Sequence, residues 1–332
     1  MTDHTDTQHP EPDSDAAPEP VSHAAPDPNA ENGSIFDGLL GGDPSHWAFG
    51  TDFEDPLAGV DTTVPPGVDA HDLGVYCLML ADDALITSHR LAQWCSNAPD
   101  LEEDIALANM ALDLLGQARL LLARAAAADP ALVPALPEGS PVPPEDALAY
   151  FRTDVEFRNT RLTETDNGDF AVTIVKALVL STARLAVLER LRDSRDAVLA
   201  AVAAKGVKEL AYHRDYAGRW FLTLAQGTAE SRRRIEAALR TVWPLYAELF
   251  VPHEVEARMA RAGVGVDPQS VADEVAVVLA QVFALSGVQT PEVPPMAAVR
   301  GRRGRDGMHT EELSWLLAEM QSVARAHPSG RW

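Results

Sequence analysis

The chain has 332 residues, with 27 Lys and Arg against 50 Asp and Glu, so its formal net charge is −23. A charge of this sign argues against binding to duplex nucleic acid or to an anionic membrane surface, because both need a basic footprint. The 46% hydrophobic content is enough for a sizeable core, and the two cysteines, Cys77 and Cys95, are too few for a disulfide framework. No leader with a basic n-region opens the chain, and no apolar run approaches 18 residues. We therefore expect a cytoplasmic protein with no membrane partner.

Residues 1–70 differ in composition from the rest of the chain and are rich in Pro, Asp, Glu, Ala and Gly. They include 15 acidic residues and no Lys or Arg. Such a segment buries too little apolar surface to offset its ordering entropy, so we predict an acidic, Pro-rich disordered tail ahead of one domain over residues 71–332. Two apolar islands interrupt the tail, at residues 35–40 and at 47–49 followed by Phe53. They are either incidental or a segment that docks on a partner or on the domain.

From residue 72 onward apolar residues recur at intervals of three and four, which is the period of an α-helix. Asp100 and Glu103 fit a capping box at the start of the second helix. The first two long helices, and the two that follow the Asn167-Gly168 turn, look like two hairpins of one bundle. The predicted fold is therefore all-α, with two helical hairpins at the core and extra C-terminal helices. In chain order, the pattern predicts helices over residues 72–95, 101–128, 145–158, 169–192, 197–224, 229–250 and 267–285, and a last one from 310.

The motifs of several common active sites are missing from the sequence. It contains no phosphate-binding glycine loop, no Gly-x-Ser-x-Gly nucleophile elbow and no pair of Cys or His at zinc spacing. A bundle of two helical hairpins calls for one specific test, that of a carboxylate-bridged di-iron site. This site needs a Glu from each of two helices and a Glu-x-x-His motif from each of the other two.

The two segments most similar to the Glu-x-x-His motif lack most of its metal ligands. Aligned on Glu-x-x-His, one segment reads Leu114-x-x-Gln117 and the other reads Leu210-x-x-His213. Leucine cannot coordinate a metal, and a lone imidazole holds iron poorly where hard oxygen donors are absent. The predicted helix over 169–192 has no acidic residue in its middle. Four bridging carboxylates are therefore out of reach.

Nearby polar residues form pairs with a spacing of four residues instead of three. Asp113 precedes Gln117 by four residues, and Glu209 precedes His213 by four, so each pair lies on one helix face. With Asp83 from the first helix, these residues would form a polar cluster of Asp83, Asp113, Glu209 and His213. The cluster is either a hydrogen-bonded element in or near the core, or the metal site of a helical enzyme acting on its own.

Several motifs of the folded domain resemble one known family. The most extended is residues 91–119, LAQWCSNAPDLEEDIALANMALDLLGQAR, and shorter ones are KELAYH at 208–213, AELF at 247–250, GMHTE at 307–311 and LAEMQ at 317–321. These motifs resemble the PaaC family of phenylacetic acid catabolic proteins. The resemblance covers about residues 73–332 and leaves the acidic tail outside.

The resemblance implies a ferritin-like fold and the role of a structural, non-catalytic subunit in a phenylacetyl-CoA epoxidase. It implies that the iron belongs to a catalytic di-iron partner subunit, that FAD and an iron–sulfur cluster belong to a reductase, and that this chain has no cofactor. It places the missing upstream carboxylate at Ala84. The degenerate ligand positions are then Ala84, Leu114, Gln117 and Leu210, with His213 retained. A scaffold of a related CoA-thioester oxygenase is the alternative.

Two surfaces are candidates for contact with partners. The dense basic run at residues 300–305 contains Arg300, Arg302, Arg303 and Arg305. It is either a solvated loop or a contact with an acidic partner surface or with the phosphates of coenzyme A. The apolar stripes of the first two helices, with Leu91, Trp94 and Leu101, are candidates for the interface with the catalytic subunit.

Overall fold

The computed structural model describes residues 59–330. The predictions for residues 1–58, including the two apolar islands, lie outside the described residues. In the described part of the chain every regular element is helical, apart from one isolated antiparallel bridge between Val299 and Arg302. The predicted all-α fold is confirmed.

The described residues form ten α-helices and several short 3₁₀ turns. The helices are α1 (Ala70–Ala92), α2 (Leu101–Ala128), α3 (Pro144–Tyr150), α4 (Arg161–Glu164), α5 (Phe170–Leu191), α6 (Ala197–Gln226), α7 (Ala229–Tyr246), α8 (Glu254–Arg261), α9 (Ala272–Ser286) and α10 (Glu311–Ala326). The 3₁₀ turns are Pro130–Leu132, Asp154–Glu156, Ala247–Phe250, Pro268–Val271 and Gly304–Asp306.

The four longest central helices pair as the two predicted hairpins. Helix α1 packs along α2, and α5 packs along α6, while α2 and α6 also touch each other. Helices α7 and α9 lie against α5, α8 lies against α1, and α10 lies against α3. The core of the domain therefore lies between the two hairpins, which is where a ferritin-like protein would hold its metals.

Each of these four helices begins with an aspartate cap, which fixes its start. The side chains of Asp69, Asp100, Asp169 and Asp196 accept a backbone N–H three residues on, at 2.9–3.1 Å. The predicted capping box at Asp100 is only half formed. The Glu103 carboxylate accepts instead from the Tyr216 hydroxyl and from the Trp220 indole at 2.7 Å, both on α6.

The stretch between the hairpins differs from the single helix predicted over residues 145–158. Helix α3 ends at Tyr150 and is followed by a 3₁₀ turn and by the short α4. The backbone N–H groups of Arg158 and Thr160 donate to Asp82 and Asp83 on α1, both at 2.8 Å. These contacts to a distant helix replace the intrahelical bonds, which is why periodicity alone overextended the helix. The sequence analysis also missed α8.

Among residues 59–330, three helical segments are long and apolar enough to cross a membrane by length and composition alone, although the sequence has no uninterrupted apolar run near 18 residues. They are Leu101–Ala128, Phe170–Leu191 and Pro268–Ser286. In the apolar stretch of Phe170–Leu191, 78% of the residues are buried inside the domain, against 44% and 28% for the other two. The composition of α5 therefore reflects its place at the centre of the bundle, while α2 keeps an apolar face outside the core.

Residues 59–69, which the sequence analysis assigned to the tail, pack against the domain. Val60, Val64 and Val68 contact the hydrophobic core. Arg124 on α2, fully buried with its partner Asp196, donates to the carbonyl oxygen of Thr62 at 2.7 Å. This segment therefore belongs to the ordered structure.

Candidate functional site

The positions of the expected metal ligands lie on three of the central helices, α1, α2 and α6, and all five side chains are buried. Ala84, Leu114 and Leu210 are at most 4% exposed and pack in the hydrophobic core. Gln117 and His213 are equally buried, at 2% and 1% exposure. Apolar side chains thus lie in the core at three of the positions where the family resemblance leads us to expect carboxylates.

The predicted polar cluster of Asp83, Asp113, Glu209 and His213 does not form as one hydrogen-bonded group. The first of three separate networks is a pair in which His213 Nε2 lies 3.0 Å from Asp113 Oδ2. Among residues 59–330, no group of three or more His, Cys, Asp or Glu side chains is placed to hold a metal ion. Of the four predicted members, Asp113 and His213 therefore contact each other. The carboxylates of Asp83 and Glu209 bind other side chains.

The second network contains a residue that the sequence analysis missed, Arg184 on α5. Its Nε donates to Gln117 Oε1 at 3.0 Å, and its Nη1 donates to the carbonyl oxygen of Leu80 at 3.0 Å. Gln117 in turn donates from Nε2 to Glu209 Oε2 at 2.8 Å. Burial lowers the pKa of Arg184 to about 10 and raises the pKa of the Glu209 carboxyl above its ordinary value. A charged residue in the apolar middle of a helix was the available signal, and α5 has two there, Lys176 and Arg184.

The third network engages Asp83 and Arg305. Arg305 donates to Asp83 Oδ2 at 2.7 Å and to the carbonyl oxygens of Met79 and Arg158, and lies 3.5 Å from Glu256. Asp83 also accepts the backbone N–H of Thr160. The guanidinium of Arg305 is therefore turned inward to carboxylates and does not project from the surface as a solvated loop residue would.

The remaining arginines of the basic run lie at a tight turn. The backbone φ angles of Arg300 and Gly301 are 52° and 81°, and Val299 and Arg302 exchange both backbone hydrogen bonds at 2.9 and 3.0 Å. This is the geometry of a two-residue type I′ hairpin turn. Arg300 and Arg302 are exposed, whereas Arg303 is half-buried. Only the first two project from the surface.

The exposed face of α2 is strongly apolar. Leu101, Ile105, Leu112 and Leu115 are between 41% and 68% exposed. Their spacing of four, seven and three residues puts them on one side of the helix. The neighbouring Tyr212 on α6 is 51% exposed. We call these five residues the α2 face.

Two of the residues predicted for a partner interface lie elsewhere. Leu91 is buried in the core at 5% exposure. The Trp94 indole donates to Thr173 Oγ1 at 2.9 Å and packs edge-on against Phe170. The Trp94 side chain therefore links the region after α1 to α5, and Leu101 is the most exposed of the three predicted residues.

The bundle encloses little empty space. A cavity of about 90 Å³ lies between the central helices and is lined by Leu114, Leu210 and His213, among others. Ligand sites are typically larger than about 300 Å³, so this cavity suits a few water molecules rather than a CoA thioester.

Comparison with known proteins shows similarity over the whole folded domain. The sequence model of a family described as "Phenylacetic acid catabolic protein" matches residues 59–332. One of the subunits of 1,2-phenylacetyl-CoA epoxidase from Escherichia coli (strain K12) is 39% identical over 262 residues, which cover 79% of this chain and 100% of that protein.

Proposed function

The chain belongs to the phenylacetic acid catabolic protein family, and from this premise we propose that it is the structural, non-catalytic subunit of a 1,2-phenylacetyl-CoA epoxidase. The observation that carries this proposal is the set of side chains between the two hairpins. Leu114 and Leu210 are buried at two positions that the family resemblance assigns to ligands, and a guanidinium lies among the polar groups that remain. A donor set of this kind does not fit a di-iron centre, because it offers too few hard oxygen ligands.

The proposal assigns the redox chemistry to other subunits. Iron belongs to a catalytic di-iron partner, and FAD with an iron–sulfur cluster belongs to a reductase. The second candidate, a helical metalloenzyme that uses Asp83, Asp113, Glu209 and His213, has no support from the geometry of the described residues, since these side chains are divided among three networks. Elemental analysis after anaerobic iron loading is expected to find no stoichiometric metal, and two ions per chain would contradict the proposal.

We place the contact with the catalytic subunit on the α2 face. A contiguous apolar surface on a soluble domain marks an interaction site. Obligate interfaces commonly exceed about 2,000 Å² in total and resemble a domain core. The α2 face offers four aliphatic side chains and one tyrosine on adjoining helices. Burying this face in a stable hetero-oligomer would also fix the positions of the partner's helices relative to one another.

Arg300 and Arg302 provide a second, polar contact. They follow Met296 and Val299 in the chain, whose side chains are also exposed, and Met and Arg are both enriched at protein interfaces. This neighbourhood favours an acidic surface of a partner subunit over the phosphates of coenzyme A. Within the complex, we expect the protein to remain in the cytoplasm without a nucleic-acid or membrane partner.

Reconstitution is the experiment that tests this function. Catalytic subunit and reductase are purified alone and then combined with the full chain, and epoxidation of phenylacetyl-CoA is measured. We expect turnover only when this chain is present, since it supplies assembly but no metal. Full activity without it, or activity from this chain and reductase alone, would contradict the proposal. Other aryl- and acyl-CoA thioesters in the same assay distinguish a related oxygenase scaffold.

A further inference from the structure

One hydrogen-bonded chain of groups connects all four central helices. It runs from the Leu80 carbonyl on α1 to Arg184 on α5, then to Gln117 on α2 and finally to Glu209 on α6. The three bonds measure 3.0, 3.0 and 2.8 Å. In a ferritin-like enzyme the same four helices are joined by metal ions and their ligands.

We propose that the Arg184 guanidinium replaces the metal centre in this subunit. It takes the place of the ligand that α5 would supply, ties the two hairpins together and keeps divalent cations out. This inference goes beyond the proposed subunit role, because it concerns what holds the bundle in register and why it takes up no metal.

The chemistry of arginine suits this replacement. Its planar fork directs several N–H donors at fixed angles, so one side chain reaches an amide oxygen on α2 and a carbonyl oxygen on α1. A lysine ammonium is a compact point charge without this fork. Even with its pKa lowered by burial, Arg184 stays charged at neutral pH.

The electrostatics oppose a second cation at the same place. Arg184 contacts no carboxylate among the described residues, and its charge is balanced over longer distances by Asp83 and Glu209. Arg305 adds another positive charge nearby. Because Arg305 is paired with Asp83 and Glu256, the repulsion comes mainly from Arg184. A divalent ion beside Arg184 would meet a guanidinium that touches no carboxylate, in a poorly solvated region where repulsion is much stronger than in water.

The backbone of α6 is adapted to the same network. A Cβ atom on Gly206 would lie 3.2 Å from the Gln117 amide and 2.6 Å from Leu188 Cδ1. Glycine at this position therefore leaves room for the Gln117 amide between α2 and α6. The Arg184–Gln117 link therefore depends on a third helix that leaves room for it.

A double-mutant cycle on the full chain tests the link. Arg184→Met, Gln117→Leu and the double variant are compared by thermal unfolding, with Arg219→Met as the matched control on the exposed side of α6. Each single variant should lower the Tm by about 3–10 °C, and the double variant by clearly less than the sum. The control should remain near the wild-type value. An unchanged Tm in Arg184→Met, or additive shifts, would overturn the proposal.

Metal uptake provides an independent readout. Two variants restore the other ligands through Ala84→Glu, Leu114→Glu, Gln117→His and Leu210→Glu, and differ only at residue 184. One keeps Arg184 and the other has Arg184→Glu. Titration with Co²⁺, followed by visible absorption and by elemental analysis, should show stoichiometric binding only in the second. Equal uptake by the two variants, including none in both, would overturn the claim that Arg184 excludes the metal.

Discussion

Neighbouring acidic residues on α1 have different roles because they face different partners. Asp82 is fully buried and accepts two hydrogen bonds from Arg152, at 2.5 and 3.0 Å, and one from the backbone of Arg158. Asp83 turns to Arg305 and Thr160. Both carboxylates therefore fix the irregular stretch between α3 and α4 through these hydrogen bonds.

The first prediction concerns the buried ion pair. Asp82→Ala should destabilise the folded domain by about 3–5 kcal/mol, because it leaves the Arg152 guanidinium buried without its counter-charge. Asp215→Ala, which breaks an exposed i,i+4 pair with Arg219, should change stability by less than about 0.5 kcal/mol. Urea unfolding curves measure both, and similar midpoints for the two variants would contradict the prediction.

The second prediction concerns Glu209, whose carboxylate is the last member of the Arg184 chain. Glu209→Ala should cost about 1–3 kcal/mol, since the Gln117 amide loses its acceptor. Glu209→Gln keeps an acceptor and should be nearly neutral. An unchanged denaturation midpoint in Glu209→Ala would contradict the assigned contact.

The same residue gives a pH dependence with a defined sign. Burial raises the pKa of Glu209 in the folded state above its unfolded value of 4.5. The folded protein then binds the proton more tightly, so the wild type loses stability as pH rises from 4.5 through the raised pKa. The free energy of unfolding of the wild type, relative to that of Glu209→Gln, should therefore fall as the pH rises from 4.5 through the raised pKa. A difference that is constant with pH would contradict the raised pKa.

At the scale of elements, α2 differs from the other central helices because it has two apolar faces. One packs into the core through Leu107, Leu114 and Leu121, all at most 4% exposed. The other is the exposed α2 face. An amphipathic helix needs only the first, so the second indicates a partner.

The third prediction places the partner on that face. Leu112→Asp with Leu115→Asp should leave the Tm within a few degrees, because both side chains are exposed, but should abolish co-purification with the catalytic subunit. Val323→Asp on α10, where an exposed valine lies outside this face, is the control and should co-purify normally. Size-exclusion chromatography of the mixture gives the result. Normal complex formation by the double variant would contradict this location.

At the scale of the whole molecule, the domain begins before α1. Residues 59–69 contact the core through three valines and are bonded to Arg124 and Arg195 through backbone carbonyls. Asp69 also caps α1. Removing this segment therefore exposes apolar surface and removes a helix cap.

The fourth prediction separates this segment from the acidic region before it. A chain that starts at residue 59 should unfold at nearly the wild-type temperature, because the deleted part lacks a core-forming composition. A chain that starts at residue 71 should unfold at least several degrees lower. Differential scanning calorimetry compares the two. A large loss in the first truncation would show that residues 1–58 stabilise the domain.

The sequence by itself determined the all-α fold and the two hairpins, and it places Leu114 and Leu210 at positions where the family resemblance leads us to expect metal ligands. Helical periodicity and aspartate caps are local signals, and whether a side chain can ligate a metal follows from its identity alone.

Only the tertiary structure decided the partners of the polar groups. It turned Arg305 inward, buried Leu91 and made Arg184 the centre of a network. The acceptors of Arg184 lie 67 and 104 residues away along the chain, and Asp83 lies 222 residues from Arg305. No local pattern encodes such contacts, because they depend on how the hairpins pack. The same packing left one apolar face of α2 uncovered.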